Sequence, residues 1–299
     1  MKGTLVILTG PTGVGKTELS LSVASHLGSP VISCDSRQIY REMRIGTAVP
    51  DASQLSAVKH YFIQDHSIRD PYSAGDYERE ALSLVEDLFS RGHSALLVSG
   101  GTMFFVEALI GGLPDLPSSD PALRSSLEER LREEGLESLR MELSRVDPEA
   151  YGAIDLANPQ RVLRALEVCL LSGRRFSSFK ASPKERPYKV VKICLTRPRE
   201  VLYSRIDSRV EGMIREGLVE EARSLLPYRD LPALRIIGYS EVFDYLEGRT
   251  SLEECIRLIK RNTRHYAKKQ LSWWRRDPSV HWVDLGGGPG SLDDILPLL

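Results

Sequence analysis

Short apolar runs and amphipathic helical patterns alternate along much of the chain. Four aliphatic runs, bounded by Gly, Pro and polar clusters, predict β-strands: TLVIL (4–8), PVISCDS (30–36), ALLVSGGT (95–102) and YKVVKICLT (188–196). Helical spacing places Leu19, Val23 and Leu27 on one face after the first run, and residues 76–92 form a second amphipathic helix. Strands separated by helices predict an α/β fold with a doubly wound, mainly parallel sheet.

The stretch 113–187 has a different pattern. Two helical segments, SLEERLREEGLESLRMEL and PQRVLRALEVCLLSG, follow one another with no strand-like run between them. Pro/Ser-rich sequences flank them on both sides: LPDLPSSDP (113–121) and SPKERP (182–187). Beyond the second flank, the chain reads as helical from about Pro198 to Trp274. The predicted organisation is a P-loop-type α/β core in two parts (1–114 and 187–283), an all-helical insertion (115–186) and a tail with a glycine hinge (284–299).

The composition is that of a soluble globular protein, with 41% hydrophobic and 27% charged residues among 299 and a net charge of −1. The four cysteines contain no C-x-x-C pair, which favours reduced thiols over a zinc site or a disulfide framework. No apolar run approaches the roughly 18–20 residues that span a bilayer. The first strand begins too early to leave room for a signal peptide. We expect a cytoplasmic protein with no membrane contact.

The sequence GPTGVGKT (10–17) matches the phosphate-binding pattern G-x-x-x-x-G-K-[ST] between a predicted strand and a predicted helix. Such a loop offers backbone N–H groups at a helix N-terminus, where the helix dipole favours an anion. Lys16 adds a positive charge for the outer phosphates, and Thr17 can bind Mg²⁺. The pattern predicts a ligand that contains a diphosphate or triphosphate.

An ATP-dependent kinase would need an acidic residue at the end of a later strand to hold its Mg²⁺. The run ALLVS is followed instead by Gly100, Gly101 and Thr102, which leave room for a bulky group and offer hydrogen bonds. The acidic residue that is best placed at a strand end is Asp35, after VISC. Taken alone, such a carboxylate is more often a helix cap or a loop residue. Beside a diphosphate site, the balance reverses, because it could accept a proton from a nucleophile.

The segment 260–276 contains seven Lys/Arg residues and no acidic residue, with Tyr266, Trp273 and Trp274 among them. Cationic and aromatic side chains together favour nucleic-acid binding. A solvated basic helix whose tryptophans pack inward is the alternative. A second basic pair, Arg161 and Arg164 in PQRVLRALEV, favours the nucleic-acid interpretation.

In these motifs and others along its length, the chain resembles the tRNA dimethylallyltransferases, also called tRNA isopentenyltransferases. The resemblance spans about 5–275 and rests on ordered motifs: GPTGVGKT (10–17), DSRQIYREMRIGTAVP (35–50), PYSAGDYERE (71–80), SGGTMFF (99–105), NPQRVLRALEV (158–168), GM with EGLVEEA (212–222), RIIGYSE (235–241) and RNTRHYAKKQLSWWR (261–275). It is of the bacterial type, since the zinc finger of the eukaryotic members is absent. The resemblance implies transfer of a dimethylallyl group from dimethylallyl diphosphate to N6 of adenosine 37, in the anticodon stem-loop of tRNAs that read codons beginning with U.

The resemblance also implies roles for individual residues. Asp35 would be the general base, Thr102 would lie near the leaving oxygen, and Arg209 would reach the diphosphate. The implied diphosphate cradle is Gly10, Pro11, Thr12, Gly13, Val14, Gly15, Lys16 and Thr17, with Thr17 on Mg²⁺. The implied tRNA contacts are Asp35, Ser36, Arg37, Gln38, Thr102, Arg124, Gln160, Arg161, Val162, Leu163, Arg164, Arg235, Ile236, Ile237, Gly238, Tyr239 and Ser240.

Three other functions remain open on the residues alone. An adenylate isopentenyltransferase acting on free AMP, ADP or ATP would share the phosphate loop and the aspartate, but it should lack the QRVLR insertion that this chain has. A P-loop small-molecule kinase would turn over ATP. A non-enzymatic RNA-binding module would bind RNA without Lys16.

We expect the protein to be a monomer.

Overall fold

The computed structural model describes residues 3–70, 72–179 and 184–299. The first residue of the predicted motif 71–80 and the first two of the predicted flank 182–187 lie outside these ranges. The chain divides into two compact units. One comprises the residues up to 110 together with those from 185 onward, and the other comprises 111–184.

The first unit is built on a six-stranded sheet in which every pairing is parallel. Its strands are β1 (Thr4–Thr9), β2 (Val31–Ser33), β3 (His60–Tyr61), β4 (Ala95–Ser99), β5 (Lys189–Thr196) and β6 (Val280–Asp284). They lie in the order β3-β2-β4-β1-β5-β6. The predicted parallel α/β fold is therefore confirmed, including its four predicted strands. The two outermost strands, β3 and β6, were not predicted.

Helices cover the sheet and complete the first unit. They are α1 (Lys16–Leu27), α2 (Ala52–Ala57), α3 (Ala74–Ser90), α4 (Met103–Gly111), α9 (Arg199–Glu216), α10 (Leu218–Leu225), α11 (Tyr239–Leu246) and α12 (Leu252–Trp274), with α5–α8 in the second unit. The central strand β1 contributes Leu5 and Ile7 to one apolar cluster and Val6 and Leu8 to another. This alternation shows that both faces of the sheet are covered, as expected for a doubly wound fold.

The second unit contains only helices among its described residues. They are α5 (Pro121–Glu133), α6 (Gly135–Val146), α7 (Pro148–Ala153) and α8 (Pro159–Ser172). Asp120, Asp147 and Asn158 cap three of these helices, and each cap is followed by a proline in the first turn, a common helix start. Leucines of α5, α6 and α8 form a separate small core.

The C-terminal residues add a strand and turns to the first unit. The predicted tail begins within β6 and continues through two short 3₁₀ turns, at Leu292–Asp294 and Leu296–Leu298. Across the described ranges, every helix is too short or too polar to cross a lipid bilayer.

Candidate active site

The phosphate loop joins β1 to α1, and Gly15 caps the helix with a φ of 108°. Among residues 11–17, two backbone amides donate hydrogen bonds within the protein. The amide of Thr12 donates to the side chain of Gln270, and the amide of Val14 donates to the carbonyl of Pro11. The remaining amides, at 13 and 15–17, lie at or just before the start of α1, where the helix dipole favours an anion.

Lys16 lies over this loop. Its Nζ donates to the carbonyl oxygens of Gly10 at 2.9 Å and Pro11 at 3.0 Å. Burial, with the nearby positive charge of Arg209, lowers the pKa of the Lys16 ammonium group to about 8, although the carboxylate of Asp35 acts in the opposite direction. Lys16 is thus a buried ammonium group that loses its proton more readily than an exposed lysine does.

Three arginines at or near α9 surround the loop. Nε of Arg197 donates to the carbonyl of Val14 at 2.7 Å, and Nε of Arg205 donates to the carbonyl of Gly13 at 2.9 Å. Arg209 lies one helical turn beyond Arg205 and makes no such bond to the loop within the described residues. Burial lowers the pKa of its guanidinium, whereas Asp35 raises it. Two arginines therefore hold the loop, and Arg209 is a buried cation close to Lys16 and Asp35.

Asp35 follows β2 at the same edge of the sheet. Its Oδ1 accepts hydrogen bonds from the amides of Arg37 at 2.9 Å and Gln38 at 3.4 Å. Its Oδ2 accepts none from the described residues. Asp35 interacts electrostatically with both Lys16 and Arg209. One carboxylate oxygen is therefore fixed by the backbone, and the other is left to accept a proton.

Thr102, after β4, is joined to the residue that follows Asp35. Its Oγ1 accepts from the amide of Ser36 at 2.9 Å and donates to Ser36 Oγ at 3.2 Å. The amide of Thr102 donates to the carbonyl of Cys34 at 3.2 Å. The fold thus brings together the three predicted catalytic residues, Asp35, Thr102 and Arg209, with Lys16 at the carboxyl ends of the parallel strands, where ligands bind in such sheets.

The two glycines before Thr102 have a purpose that differs from the predicted one. A Cβ at Gly100 would lie 2.7 Å from the backbone of Cys34, and a Cβ at Gly101 would lie 2.7 Å from Nε2 of Gln270. The interpretation that these glycines make room for a bulky ligand is therefore wrong. The protein itself occupies that space.

Gln38, one of the predicted tRNA contacts after Asp35, is bonded to the segment 44–48. Nε2 of Gln38 donates to the carbonyls of Thr47 and Ala48. This segment is held in turn by Glu221, which accepts hydrogen bonds from the amides of residues 44–46 and from the hydroxyl of Tyr239 at 2.6 Å. Tyr239 as a whole is fully buried, so the structure places this predicted tRNA contact in the interior, out of reach of RNA.

In the helical unit, three predicted tRNA contacts are connected through a buried acidic residue. Glu167 has no exposed surface and pairs with Arg164 at 2.9 Å and with Arg124 at 3.6 Å. Arg124 also donates to Gln160, and Arg164 donates to the carbonyl of Pro117. These cations are therefore positioned by the protein.

The other predicted tRNA contacts on α8 lie on opposite faces of the helix, one exposed and one buried. Arg161 is exposed, and it makes no ion pair within the described part of the helical unit. Val162 and Leu163 are completely buried in the core of that unit. Their side chains cannot reach an RNA molecule without unfolding of α8. Arg161 is the more exposed of the two arginines on this turn, since Arg164 is only partly exposed.

The basic helix α12 combines both interpretations of its sequence. Trp274 is only 2% exposed and packs in the core, as the inward-packing alternative requires, and Trp273 donates to Glu107. Lys260 and Arg264 pair with acidic residues of α9. The remaining basic residues are exposed: Arg261, Lys268, Lys269, Arg275 and Arg276.

A cavity of about 470 Å³ lies beside Arg209. Ile45, Val49 and Met213 contribute apolar walls, and Arg209 provides a cation. Across residues 3–70, 72–179 and 184–299, no three His, Cys, Asp or Glu side chains are grouped so as to hold a metal ion.

The model of one protein family, described as IPP transferase, matches residues 38–277. The chain belongs to the IPP transferase family. The match begins after the phosphate loop and Asp35, so it rests on the remainder of the chain.

Relatives of this IPP transferase extend the match over nearly the full length. The chain is 48% identical over 290 residues to a tRNA dimethylallyltransferase of Porphyromonas gingivalis, covering 97% of this chain and 96% of the relative. It is 45% identical over 283 residues to tRNA dimethylallyltransferase 1 of Phocaeicola vulgatus, covering 94% of each.

Two solved structures have the same fold. A full-length tRNA isopentenylpyrophosphate transferase of Bacillus halodurans superposes with a TM-score of 0.71 at 38% identity, covering 98% of this chain and 94% of that one. A eukaryotic dimethylallyltransferase described as acting on tRNA gives a TM-score of 0.79 at 25% identity, covering 95% of this chain and 74% of that one.

Sequence reasoning missed three residues of the site in this IPP transferase. Arg197, Arg205 and Gln270 all bind the backbone of the phosphate loop from distant parts of the chain. Gln270 lies inside the basic run attributed to RNA binding. Its only sequence signal is the spacing from Ala267 and Trp274, which are buried on the same helical face.

Proposed function

We propose that the chain transfers the dimethylallyl group of dimethylallyl diphosphate to N6 of adenosine 37 in tRNAs that read codons beginning with U. The observation that carries this proposal is the meeting of Lys16, Arg209, Asp35 and Thr102 at one edge of the sheet. A diphosphate cradle there adjoins a single carboxylate with a free oxygen. Membership of the IPP transferase family and the names of the relatives support the same reaction.

The donor is bound through its diphosphate. Amides at the start of α1, Lys16 and Arg209 stabilise the negative charge that accumulates on the leaving oxygen. The apolar wall of the cavity beside Arg209, with Ile45 and Met213, is suited to the five-carbon group. An allylic carbon tolerates departure of diphosphate because the positive charge is delocalised, so stabilisation of the leaving group is the main electrostatic task.

Mg²⁺ fits this site as a partner of the diphosphate. Thr17 offers one hydroxyl oxygen at the start of α1, and no group of three acidic or histidine side chains is available within the described ranges. Mg²⁺ commonly keeps several waters and binds through one or two protein ligands together with substrate phosphates. When bound, the ion would supply further positive charge to the leaving group.

The acceptor amine reacts at the other side of the site. N6 of adenine forms a bond to the allylic carbon as the bond from that carbon to oxygen breaks, and the electron pair leaves with the diphosphate. N6 then loses a proton to Oδ2 of Asp35, whose Oδ1 is held by two backbone amides. Thr102 fixes the neighbouring Ser36 and so shapes the surface that receives the base.

We assign tRNA contacts to two sets of residues. In the helical unit, Arg161 is free to bind phosphate, and Arg124 and Arg164 are oriented by Glu167. In the first unit, the residues after Asp35 and the segment 235–240 contribute. We further propose that the enzyme works as a monomer on the anticodon stem-loop, in the cytoplasm where tRNA is found.

Label transfer tests this function against its rivals. Purified protein is incubated with labelled dimethylallyl diphosphate and, separately, an anticodon stem-loop with A at positions 36–38, the same RNA with G at 37, AMP and ATP. We expect efficient labelling of the first RNA alone, since remote contacts contribute to transition-state binding. Comparable kcat/KM for AMP would instead identify a free-nucleotide enzyme, and ATP turnover would identify a kinase.

A further inference from the structure

The phosphate loop and the loop that carries Thr102 follow the adjacent strands β1 and β4. The ladder between β1 and β4 ends at Leu8 and Ser99. Farther out, the hydroxyl of Thr9 donates to the carbonyl of Gly100 at 3.2 Å. Donor and acceptor sites therefore lie on two loops, and the sheet alone does not fix their separation.

Gln270 of α12 connects these two loops directly. Its Oε1 accepts a hydrogen bond from the amide of Thr12 at 2.9 Å, and its Nε2 donates to the carbonyl of Gly101 at 2.9 Å. The side chain is 1% exposed, so water does not compete for these bonds. The orientation of the amide is fixed by chemistry, because a backbone N–H can only donate and a backbone carbonyl can only accept.

Gln270 is closely packed against Gly101, and its own helix is held in place by neighbouring helices. Gly101 approaches so closely that a Cβ there would lie 2.7 Å from Nε2 of Gln270. The helix that carries Gln270 is itself tied to α9 by Lys260 and Arg264, and to α11 by Asn262, which donates to Glu241 at 2.7 Å. A side chain held in this way can set the distance between the two loops.

We propose that Gln270 is a positioning residue. It holds the diphosphate loop at Thr12 and the acceptor loop at Gly101 at the separation that the transfer reaction needs. The inference rests on the proposed function, because the two loops bind donor and acceptor only in that reaction. Because Gln270 is buried and both ends of its amide are bonded to the two loops, we assign it no contact with either substrate. Its removal should therefore affect the reaction at saturation more than the binding of either substrate.

Two substitutions separate this role from a structural one. Gln270→Met keeps the length of the side chain and loses both hydrogen bonds. Gln270→Glu keeps the acceptor for Thr12, and only its protonated form can donate to Gly101. Burial raises the pKa of such a glutamic acid, so the protonated form prevails at lower pH and is lost as the pH rises.

We expect kcat of Gln270→Met to fall roughly 10- to 100-fold, since small displacements of reacting groups are costly, with KM for each substrate within a few-fold of wild type. The ratio of kcat for Gln270→Glu to kcat for wild type, measured at each pH, should decrease as the pH rises. The same ratio for Gln270→Met should stay constant. Ile259→Val, a conservative change in the buried face of the same helix, should lower Tm slightly and leave kcat unchanged.

Hydrogen exchange of the Thr12 amide tests the connection without activity. It should be slow in wild type, fast in Gln270→Met, and slow in Gln270→Glu only at low pH. Normal kcat in Gln270→Met, or a ratio for Gln270→Glu that does not change with pH, would overturn the proposal. An inactive wild-type protein would count against the proposed function instead, while fast exchange of Thr12 in wild type would overturn the connection itself.

Discussion

Raising the pH should weaken the binding of the diphosphate donor before it affects the fold. Burial and the neighbouring Arg209 lower the pKa of Lys16 to about 8 in the free protein. A lysine with a lowered pKa is charged below that pH and neutral above it, so the loop loses a positive charge as the pH rises through about 8. The charge of dimethylallyl diphosphate does not change over the same range, since its terminal phosphate group loses its last proton at a pKa of about 6.

The size of the effect follows from the pKa. The negative charge of a bound diphosphate keeps Lys16 protonated in the complex, so the dissociation constant scales with one plus the ratio of neutral to charged lysine in the free protein. For a pKa of about 8, this factor is about 1.1 at pH 7 and about 11 at pH 9. Affinity should therefore fall about tenfold over this range, which is equivalent to roughly 1.4 kcal/mol.

Calorimetric titration with dimethylallyl diphosphate in the absence of RNA, between pH 7 and pH 9, measures this change, and KM for the same donor at saturating RNA should follow it. The circular dichroism spectrum at each pH controls for unfolding. Lys16→Arg is the matched variant: its guanidinium does not titrate in this range, so its affinity should be independent of pH whatever its absolute value. A wild-type affinity that is constant from pH 7 to pH 9 would refute the reasoning.

Three further substitutions test the remaining assignments. Asp35→Asn should lower kcat by roughly 10²–10⁴ and leave pyrophosphate and RNA affinities within a few-fold, as expected for a general base; lost binding with normal turnover would contradict this role. Arg161→Ala should raise KM for tRNA and reduce its salt dependence by about one unit without changing Tm, and an unchanged KM would remove Arg161 from the interface. Arg164→Ala leaves buried Glu167 with fewer partners and should cost about 1–3 kcal/mol of stability in the helical unit, which an unaltered melting transition would disprove.

Much of the site could be predicted because its signals are local. A strand, a glycine loop and a helix in succession identify a phosphate site within 25 residues, since every part of the loop is contiguous in sequence. The position of Asp35 and Thr102 beside that loop follows from a parallel sheet, whose carboxyl ends meet at one edge. The structure brings Asp35, Thr102, Lys16 and Arg209 together at that edge.

The features that could not be predicted depend on contacts between residues that are far apart in the sequence. β3 has two residues, too few for a periodic pattern, and β6 follows a helix whose basic residues dominate the local sequence. The two glycines before Thr102 read as space for a ligand because nothing near them in sequence indicates that Gln270 fills it. Tyr239 lies in a motif attributed to tRNA, yet its hydroxyl binds Glu221 in the interior.

The phosphate loop is held by residues that come much later in the sequence, and this has a consequence for folding during synthesis of the chain. Thr12 receives its partner only when Gln270, 258 residues later, has been made. Arg197, which holds the loop at Val14, also donates to the carbonyls of Gly286 and Gly288. During translation, the loop leaves the ribosome well before residues 270–288, and its geometry is complete only after these residues have emerged. Ribosome-bound intermediates that lack residues 270–288 should therefore be unable to retain the donor.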